Sequence, residues 1–290
     1  MNDVPALFYE VICRTHYRKT AISEWQRLSG LFGEVAADAF ENAAFRRVEM
    51  RNGRFHDVEY FKKFSKVNDD WIKFKKVTRK HHWYTAVIVF GGEYSIDNET
   101  AALEELSAAT EGKHVALVLK TANVSKELEK WIGSIQFCFS LQILADIPKI
   151  PESLIQKKTL YRIDYLGDTE ISDEAANQLL QMLKQEQFYQ TTLFSFSQSS
   201  LKKLVAEWSD NPSALAGKSI SFKKELEIEE LGFRKCTEEQ QRHLEGSHPQ
   251  FIHNLPAIRN FRNYARVFIL KNETAGIYWY PAQKGLLLFA

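Results

Sequence analysis

Apolar side chains near the start of the chain recur at the spacing of short helices. Three sets share intervals of three or four residues, the period of one helix face. They are Val4, Phe8, Val11 and Ile12; Ile22, Trp25, Leu28 and Leu31; and, after Gly33, Val35, Ala36, Ala39 and Phe40. Each predicted helix is only about ten residues long, and helices of that length are unstable alone in water. We therefore expect a helical module over residues 1–44, packed on itself or on a partner.

The period then shortens to the two-residue alternation that is typical of β-strands. Four strands are predicted, at residues 45–50, 58–64, 71–77 and 83–90. Asn52-Gly53 marks a turn between the first two, because these residue types adopt the positive φ angles of a tight hairpin. We expect the four strands to form an antiparallel meander.

Beyond Gly91-Gly92, segments of helical and strand period alternate. Helices are predicted at 100–109, 126–133, 173–185 and 201–208, and strands at 115–120, 136–143, 160–165, 191–196 and 219–222. The strand starts recur at intervals of about 20 to 30 residues, the period of leucine-rich and related β/α repeats. Three further strands, at 266–270, 275–280 and 285–289, predict two antiparallel hairpins that close the repeat.

Two of the repeated units are similar in detail. In each, a serine caps a helix, a tryptophan stands in its last turn, and a strand with alternating apolar residues follows. The positions are Ser125 with Trp131 and Ser200 with Trp208. The predicted fold class is therefore α/β. A three-helix module over residues 1–44 precedes a body over residues 45–290, in which a β meander, an irregular solenoid-like β/α repeat and C-terminal antiparallel hairpins follow one another.

Composition narrows the class of protein. The chain has 290 residues, of which 44% are hydrophobic, enough to bury a substantial core without covalent staples. Its three cysteines lie far apart, which predicts neither disulfides nor a zinc cluster and favours the reducing cytosol or nucleus. Charged residues interrupt the start of the chain, and no apolar run approaches the roughly 20 residues that span a bilayer. We expect neither secretion nor a membrane partner.

The formal net charge is only +1, so a charged partner would have to be bound by a local patch. One stretch, over residues 61–84, interleaves aromatic residues with Lys62, Lys63, Lys73, Lys75, Lys76, Arg79 and Lys80. Basic side chains contact phosphates and aromatic rings stack on bases, as in single-stranded nucleic-acid binding. The alternation of Ile72 and Phe74 with lysines instead favours a half-buried strand whose lysines protect an exposed edge. Nucleic acid and acidic peptides are the less favoured partners of this stretch.

Sequence signatures of catalysis are absent. The chain has no phosphate-binding loop, no dinucleotide-binding glycine motif, no nucleophile elbow and no His-Glu-x-x-His motif. His81 and His82 are adjacent and would point to opposite faces of a strand, and Cys236 lacks the paired spacing to histidines of a zinc site. The carboxylate pairs at 104–105 and 229–230 lie among other charges, as on a solvated face. We therefore predict a binding protein without metal or cofactor, and not an enzyme.

Two stretches resemble a known family. The opening Val4-Pro5-Ala6-Leu7-Phe8, the helix through Ile12 and residues 28–35 resemble an F-box, with Val4 where leucine is usual and Phe32 where tryptophan is more frequent. The body is similar to the C-terminal repeat of the nematode-expanded group of F-box and F-box-like proteins, in which a helix that ends in tryptophan leads to the next strand. The residues that carry this similarity are Leu179, Leu180, Phe188, Leu193, 204–208, Leu215, 217–218 and Ile220.

The resemblance implies both a function and a docking site. In that family the N-terminal helices bind the Skp adaptor of a cullin ubiquitin ligase, while the body captures the protein that is ubiquitinated. Adaptor docking is thereby expected of Val4, Pro5, Phe8, Ile12, Trp25, Leu28 and Phe32. Aromatic and aliphatic anchors are also the usual composition of an interface hot spot. If the same residues pack inward instead, the chain is a stand-alone interaction or structural protein.

Overall fold

The computed structural model describes about two thirds of the chain. The described residues are 8–9, 13, 25–42, 44–58, 60–63, 72–73, 84–90, 96–147, 149–194, 197–215, 218–222, 233–235, 237, 239, 266–269, 275–280 and 284–289. The chain divides into two compact units: unit 1 comprises residues 1–118 and 125–138, and unit 2 comprises residues 119–124 and 139–290. The domain boundary after residue 44 stays a prediction.

Helices and strands alternate along the chain, which confirms the α/β class. The described residues contain the helices α1 (Leu31–Asn42), α2 (Ile96–Thr110), α3 (Lys126–Ser134), α4 (Glu152–Ile155), α5 (Asp173–Leu183), α6 (Gln198–Asp210) and α7 (Pro212–Leu215). The strands are β1 (Ala44–Arg51), β2 (Arg54–Val58), β3 (Tyr60–Lys63), β4 (Ile72–Lys73), β5 (Tyr84–Phe90), β6 (His114–Lys120), β7 (Phe137–Ile143), β8 (Arg162–Tyr165), β9 (Gln190–Leu193), β10 (Ser219–Phe222), β11 (Arg234–Lys235), β12 (Arg266–Ile269), β13 (Ala275–Tyr280) and β14 (Lys284–Phe289). Every helix and strand predicted between residues 100 and 222 overlaps an observed element of the same type.

In unit 1 a hairpin forms where the Asn52-Gly53 pair predicts it. Both residues have positive φ angles, 49° and 68°. β2 begins with Arg54 opposite Arg51 and returns along one half of β1, and β3 continues along the other half. The return strand therefore starts four residues earlier than the single strand predicted over residues 58–64.

The expected antiparallel meander is only partly right. β3 and β4 pair antiparallel, with Tyr60 opposite Lys73. β5, in contrast, pairs parallel with β1, and the strand order in unit 1 is β6-β5-β1-β3-β4 with β2 also beside β1. β5 is a nearly continuous apolar run, which is typical of a strand buried on both faces. Burial therefore places β5 inside the sheet, whereas the meander would leave it at the edge.

Unit 2 contains a sheet in which parallel strands are followed by antiparallel ones. β7, β8, β9 and β10 pair parallel in sequence order. β14 joins β10 antiparallel, and β13, β12 and β11 continue outward, each antiparallel to its neighbour. The predicted antiparallel closure by the C-terminal strands is confirmed.

One face of the parallel strands forms the core of unit 2. Its first cross-strand row is Leu141, Ile163, Thr191 and Ile220, and its second is Ile143, Tyr165, Leu193 and Phe222. All eight residues are buried, and so are Leu179 and Leu183 of α5 and Leu201 and Leu204 of α6. Apolar residues of this face and of both helices are thus buried together in unit 2, and the opposite face carries none of these core residues.

Serine caps start several helices, though one begins earlier than expected. Ser125 caps α3, where its Oγ accepts from the Leu128 N–H at 3.0 Å, as predicted. α6 begins after Ser197, not Ser200, and the Ser197 Oγ accepts from the Ser200 N–H at 3.1 Å. Ser200 is instead the third residue of α6, and its hydroxyl donates to Asp173 of α5 at 3.0 Å. Both serines suit a cap locally, so the contact with α5 distinguishes them.

Near the N-terminus the second predicted helix is interrupted. Trp25 is helical, but residues 26–30 form turns and bends, and α1 starts at Leu31. Gly30 has a φ angle of +81°, the left-handed conformation that commonly ends a helix. The spacing predicts that Trp25, Leu28 and Leu31 form one helical stripe. This prediction is wrong, because the chain bends between Trp25 and Leu31. The remaining residues of the first and second predicted helices lie outside the described part, apart from Phe8, Tyr9 and Cys13.

Candidate protein-interaction site

Three aromatic rings pack together in the N-terminal segment. The Phe32 ring centroid lies 5.2 Å from that of Tyr9 and 5.5 Å from that of Trp25, in tilted arrangements. Phe8 contacts the edge of Tyr9 at a centroid distance of 6.0 Å. Such pairs contribute about 1 kcal/mol each beyond the area they bury. The first turn of α1 is thus tied to the residues that precede it.

A close backbone approach fixes the entry into α1. A Cβ atom at Gly33 would overlap the carbonyl of Leu28, so only glycine fits this position. The Glu34 N–H donates to the Gly30 carbonyl at 3.2 Å, and Ala36 and Ala39 are fully buried on one side of α1. The bend from Leu28 into α1 is therefore determined by packing on that buried side.

Three large apolar side chains of the N-terminal segment are exposed. Phe8 is 53% exposed, Leu28 52% and Leu31 43%. These are three of the five exposed large hydrophobic residues in the described part of the chain, although the N-terminal segment is a small share of it. We call Phe8, Leu28 and Leu31 the N-terminal apolar cluster. A concentration of exposed apolar residues marks an interaction site.

The predicted docking residues fall into three groups. Phe8 and Leu28 are exposed, and Trp25 and Phe32 are half-buried in the aromatic contacts described above. Val4, Pro5 and Ile12 lie outside the described residues. Leu31 is an addition, because its helical spacing predicts only a place in the apolar stripe, and its exposure follows from the bend at Gly30.

The basic stretch is only partly described. Lys62 and Lys63 lie in β3, where the register sets them opposite Phe45 and Ala44, and therefore on different faces of the sheet. Lys73 lies in β4, the outermost of the described strands on that side. An edge position agrees with the predicted protection of an exposed strand by lysine. The remaining predicted residues, Lys75, Lys76, Arg79 and Lys80, lie outside the described part.

A buried carboxylate in unit 1 pairs with two arginine side chains through both of its oxygens. Glu49 of β1 is 2% exposed. The Arg51 Nε donates to Glu49 Oε2 at 2.7 Å, and the Arg47 guanidinium pairs with Oε1. The Arg51 guanidinium also lies 4.6 Å above the Phe90 ring centroid. Both carboxylate oxygens are thereby engaged, which favours a structural role over catalysis.

Two perturbed ionisable groups in unit 2 also bond to backbone. Burial lowers the pKa of Lys218, opposed by Glu186, and its Nζ donates to the Phe188 carbonyl at 2.8 Å. Burial and the charge of Asp146 raise the pKa of Tyr165, whose hydroxyl donates to the Ile147 carbonyl. Each group therefore links neighbouring segments of unit 2.

No candidate metal centre appears among the described residues, where no three His, Cys, Asp or Glu side chains are grouped to hold an ion. Of the helices in the described ranges, none has both the length and the apolar character needed to cross a bilayer. No family model, no curated protein and no solved structure matches this chain. The N-terminal apolar cluster is therefore the starting point for a functional proposal.

Proposed function

We propose that this chain is a protein-interaction protein, an F-box-like adaptor that binds a Skp-type component of a cullin ubiquitin ligase through its N-terminal segment. The observation that carries the proposal is the exposure of Phe8 and Leu28, about half of each side chain, beside the packed rings of Tyr9, Phe32 and Trp25. Both exposed residues belong to the stretches that resemble an F-box. We place the protein in the cytosol or nucleus.

The energetics support a partner at this cluster. Covering the exposed half of a leucine or phenylalanine side chain gains about 1 kcal/mol. The three residues of the N-terminal apolar cluster would together contribute about 3 kcal/mol to binding, before the cost of association. The rings beneath them are already held in place, so little further ordering is needed on docking.

The body is proposed to capture a second protein on a solenoid-like β/α repeat. Parallel strands in sequence order, with helices between them, support this architecture. Polar contacts also join two pairs of successive helical segments. The Gln185 Nε2, just after α5, donates to the Ile155 carbonyl of α4 at 2.7 Å, and the Ser200 hydroxyl of α6 donates to Asp173 of α5. Stacked units of this kind present an extended surface to a partner.

Retention of the purified chain on an immobilised Skp-type adaptor tests the docking proposal. The wild-type chain should be retained, and the double variant Phe8→Asp with Leu28→Asp should lose at least about tenfold in affinity, because two charges enter an apolar contact. Leu144→Asp is the matched control, since Leu144 is an exposed leucine of unit 2. Both side chains of the double variant are exposed, and an unchanged melting curve checks that it folds. Absence of wild-type retention, or equal retention of the double variant, rejects ligase docking.

A stand-alone interaction protein is the second candidate. Tyr9 and Cys13 are buried, so part of the N-terminal segment already belongs to the core. In this case the immobilised adaptor does not retain the chain, and Phe8→Asp with Leu28→Asp leaves every interaction of the body unchanged. Retention on the immobilised adaptor therefore also distinguishes the two proposed functions.

A further inference from the structure

The face of the parallel strands in unit 2 that lies opposite the core rows carries two rows of polar residues. Its first cross-strand row is Ser140, Arg162, Gln190 and Ser219, and its second is Gln142, Asp164, Thr192 and Ser221. Asp164 is nearly buried and accepts from the Arg162 Nε at 2.9 Å, and the other seven residues are half-buried. Eight hydrogen-bonding side chains in register contrast with the wholly buried rows of the opposite face.

A third row at the carboxyl ends of the strands is apolar. The Leu166 N–H donates to the Ile143 carbonyl at 2.7 Å, and the Phe194 N–H donates to the Tyr165 carbonyl at 3.0 Å, so the ladder continues beyond the strands. This places Leu144, Leu166 and Phe194 in one row. Leu144 is 38% exposed, and the other two are half-buried. Exposed Lys120 is the next residue of this row, because the Leu144 N–H donates to the Leu119 carbonyl.

Exposed carboxylates follow the apolar row closely along the chain. Asp146 and Asp168 each follow a residue of the row by two positions, and Glu170 lies close behind. The Thr169 hydroxyl and N–H donate to Asp146 Oδ1 at 2.8 and 3.2 Å, which holds Asp146 against the turn after β8. The margin beyond the apolar row therefore carries negative charge.

We propose that Leu144, Leu166 and Phe194, with Asp146 and Asp168, form a sheet-face site for an extended peptide segment in which apolar side chains alternate with lysine or arginine. The apolar side chains contact the leucine and phenylalanine row, and the basic ones lie against the two aspartates. Serine, threonine and glutamine of the polar rows offer donors and acceptors to the peptide backbone. This inference rests on the proposed interaction function and names the chemistry of the captured protein, but it does not require adaptor docking.

Charge complementarity favours such a peptide over a nucleic acid. The two exposed aspartates repel phosphates and outnumber Lys120, the exposed lysine of the apolar row. Arg162, the one cation of the two polar rows, is already paired with Asp164. An acidic peptide would meet the same repulsion. A purely apolar segment would bring no positive charge to the two aspartates, so the basic residues determine the specificity.

Three synthetic peptides of about ten residues test the site with the purified full-length chain. All have glycine and serine flanks, and their centres alternate leucine with lysine, leucine with glutamate, or serine with lysine. In fluorescence anisotropy the leucine-lysine peptide should bind at least about tenfold more tightly than either other peptide, and more weakly at high salt. No binding of the leucine-lysine peptide, equal binding of the leucine-glutamate peptide, or tighter binding of an oligonucleotide overturns the proposal.

Substitutions then locate the binding. Leu144→Gln should weaken binding of the leucine-lysine peptide about tenfold, and Asp168→Asn about threefold, by loss of apolar contact and of charge, respectively. Leu31→Gln, an exposed leucine of unit 1, is the matched control and should leave peptide binding unchanged. Unchanged binding in both Leu144→Gln and Asp168→Asn overturns the proposal. A chain that binds the peptide but not the adaptor rejects ligase docking alone, and a chain that binds the adaptor but not the peptide rejects the sheet-face site alone.

Discussion

The side-chain amide of Gln178 hydrogen-bonds both polar backbone atoms of Ile150. Its Oε1 accepts from the Ile150 N–H at 2.8 Å, and its Nε2 donates to the Ile150 carbonyl at 3.1 Å. Both residues are buried, and Ile150 lies just before α4, whose cap position is held by Pro151. One side chain of α5 therefore satisfies the backbone at the start of the preceding helix, which a strand or turn would otherwise have to do.

Removing this amide should destabilise unit 2. In Gln178→Leu the shape is nearly kept, but the N–H and carbonyl of Ile150 lose their partners inside the core, at a cost of about 2–4 kcal/mol in the free energy of unfolding. Gln181→Leu is the matched control, since Gln181 is an exposed residue of the same helix and should change stability little. Urea unfolding followed by circular dichroism measures both. Equal stability of the two variants contradicts the structural role of Gln178.

The charge of Glu49 should stabilise unit 1. Glu49→Gln leaves the guanidinium groups of Arg47 and Arg51 beside a neutral, buried amide, and we expect a loss of about 3 kcal/mol in the free energy of unfolding. Glu104→Gln, on the exposed face of α2, should cost less than about 0.5 kcal/mol. Chemical unfolding of both variants at one salt concentration measures the two losses in the free energy of unfolding. Similar losses would show that the buried charge of Glu49 stabilises the fold no more than an exposed one.

Replacing Thr191 by valine should stabilise the folded chain. Its hydroxyl is buried without a hydrogen-bond partner in the described part of the chain, between Ile163 and Ile220 of the core row. Thr191→Val replaces the hydroxyl by a methyl group of similar size, and should raise the free energy of unfolding by about 1 kcal/mol. Thr192→Val, on the polar face, should not. Thermal unfolding of both variants tests this, and destabilisation by Thr191→Val would reveal a partner for the hydroxyl.

Deprotonation of the Tyr165 hydroxyl should destabilise the folded chain in alkaline solution. Because its pKa in the folded chain is raised above 10.0, the unfolded chain releases this proton first as the pH increases. The contribution of Tyr165 is thus complete below pH 10.0 and is lost between pH 10.0 and the raised folded pKa. Tyr165→Phe lacks this component, so urea unfolding between about pH 9 and 11 should show a shallower decline for the variant. Parallel declines would exclude titration of Tyr165 as a cause.

Local patterns determined much of the fold. Every helix and strand predicted from its apolar period between residues 100 and 222 overlaps an observed element, because each element buries one face and therefore repeats apolar residues at its own spacing. The four-residue helices α4 and α7 in the same range are too short to show a period and are not predicted. The Asn52-Gly53 turn and the Ser125 cap are equally local, since each depends on a few neighbouring φ and ψ angles. Exposure of Phe8 and Leu28 agrees with their prediction as docking residues, although docking itself stays a prediction.

Long-range contacts decided how the strands pair, where one helix starts and which residues form exposed rows. The parallel pairing of β5 with β1 depends on which strand edge is free once β2 and β3 have occupied the other, and no local spacing encodes that choice. Ser197 and Ser200 are both good caps, and the contact of Ser200 with Asp173 distinguishes them. The sheet-face site has no signature in the sequence, because cross-strand register alone brings Leu144, Leu166 and Phe194 into one row. The sequence by itself thus determined the longer elements between residues 100 and 222 and their buried faces, which follow from short-range sterics and apolar period. Only the tertiary structure decided strand partners, helix starts and the exposed rows, which depend on residues distant along the chain.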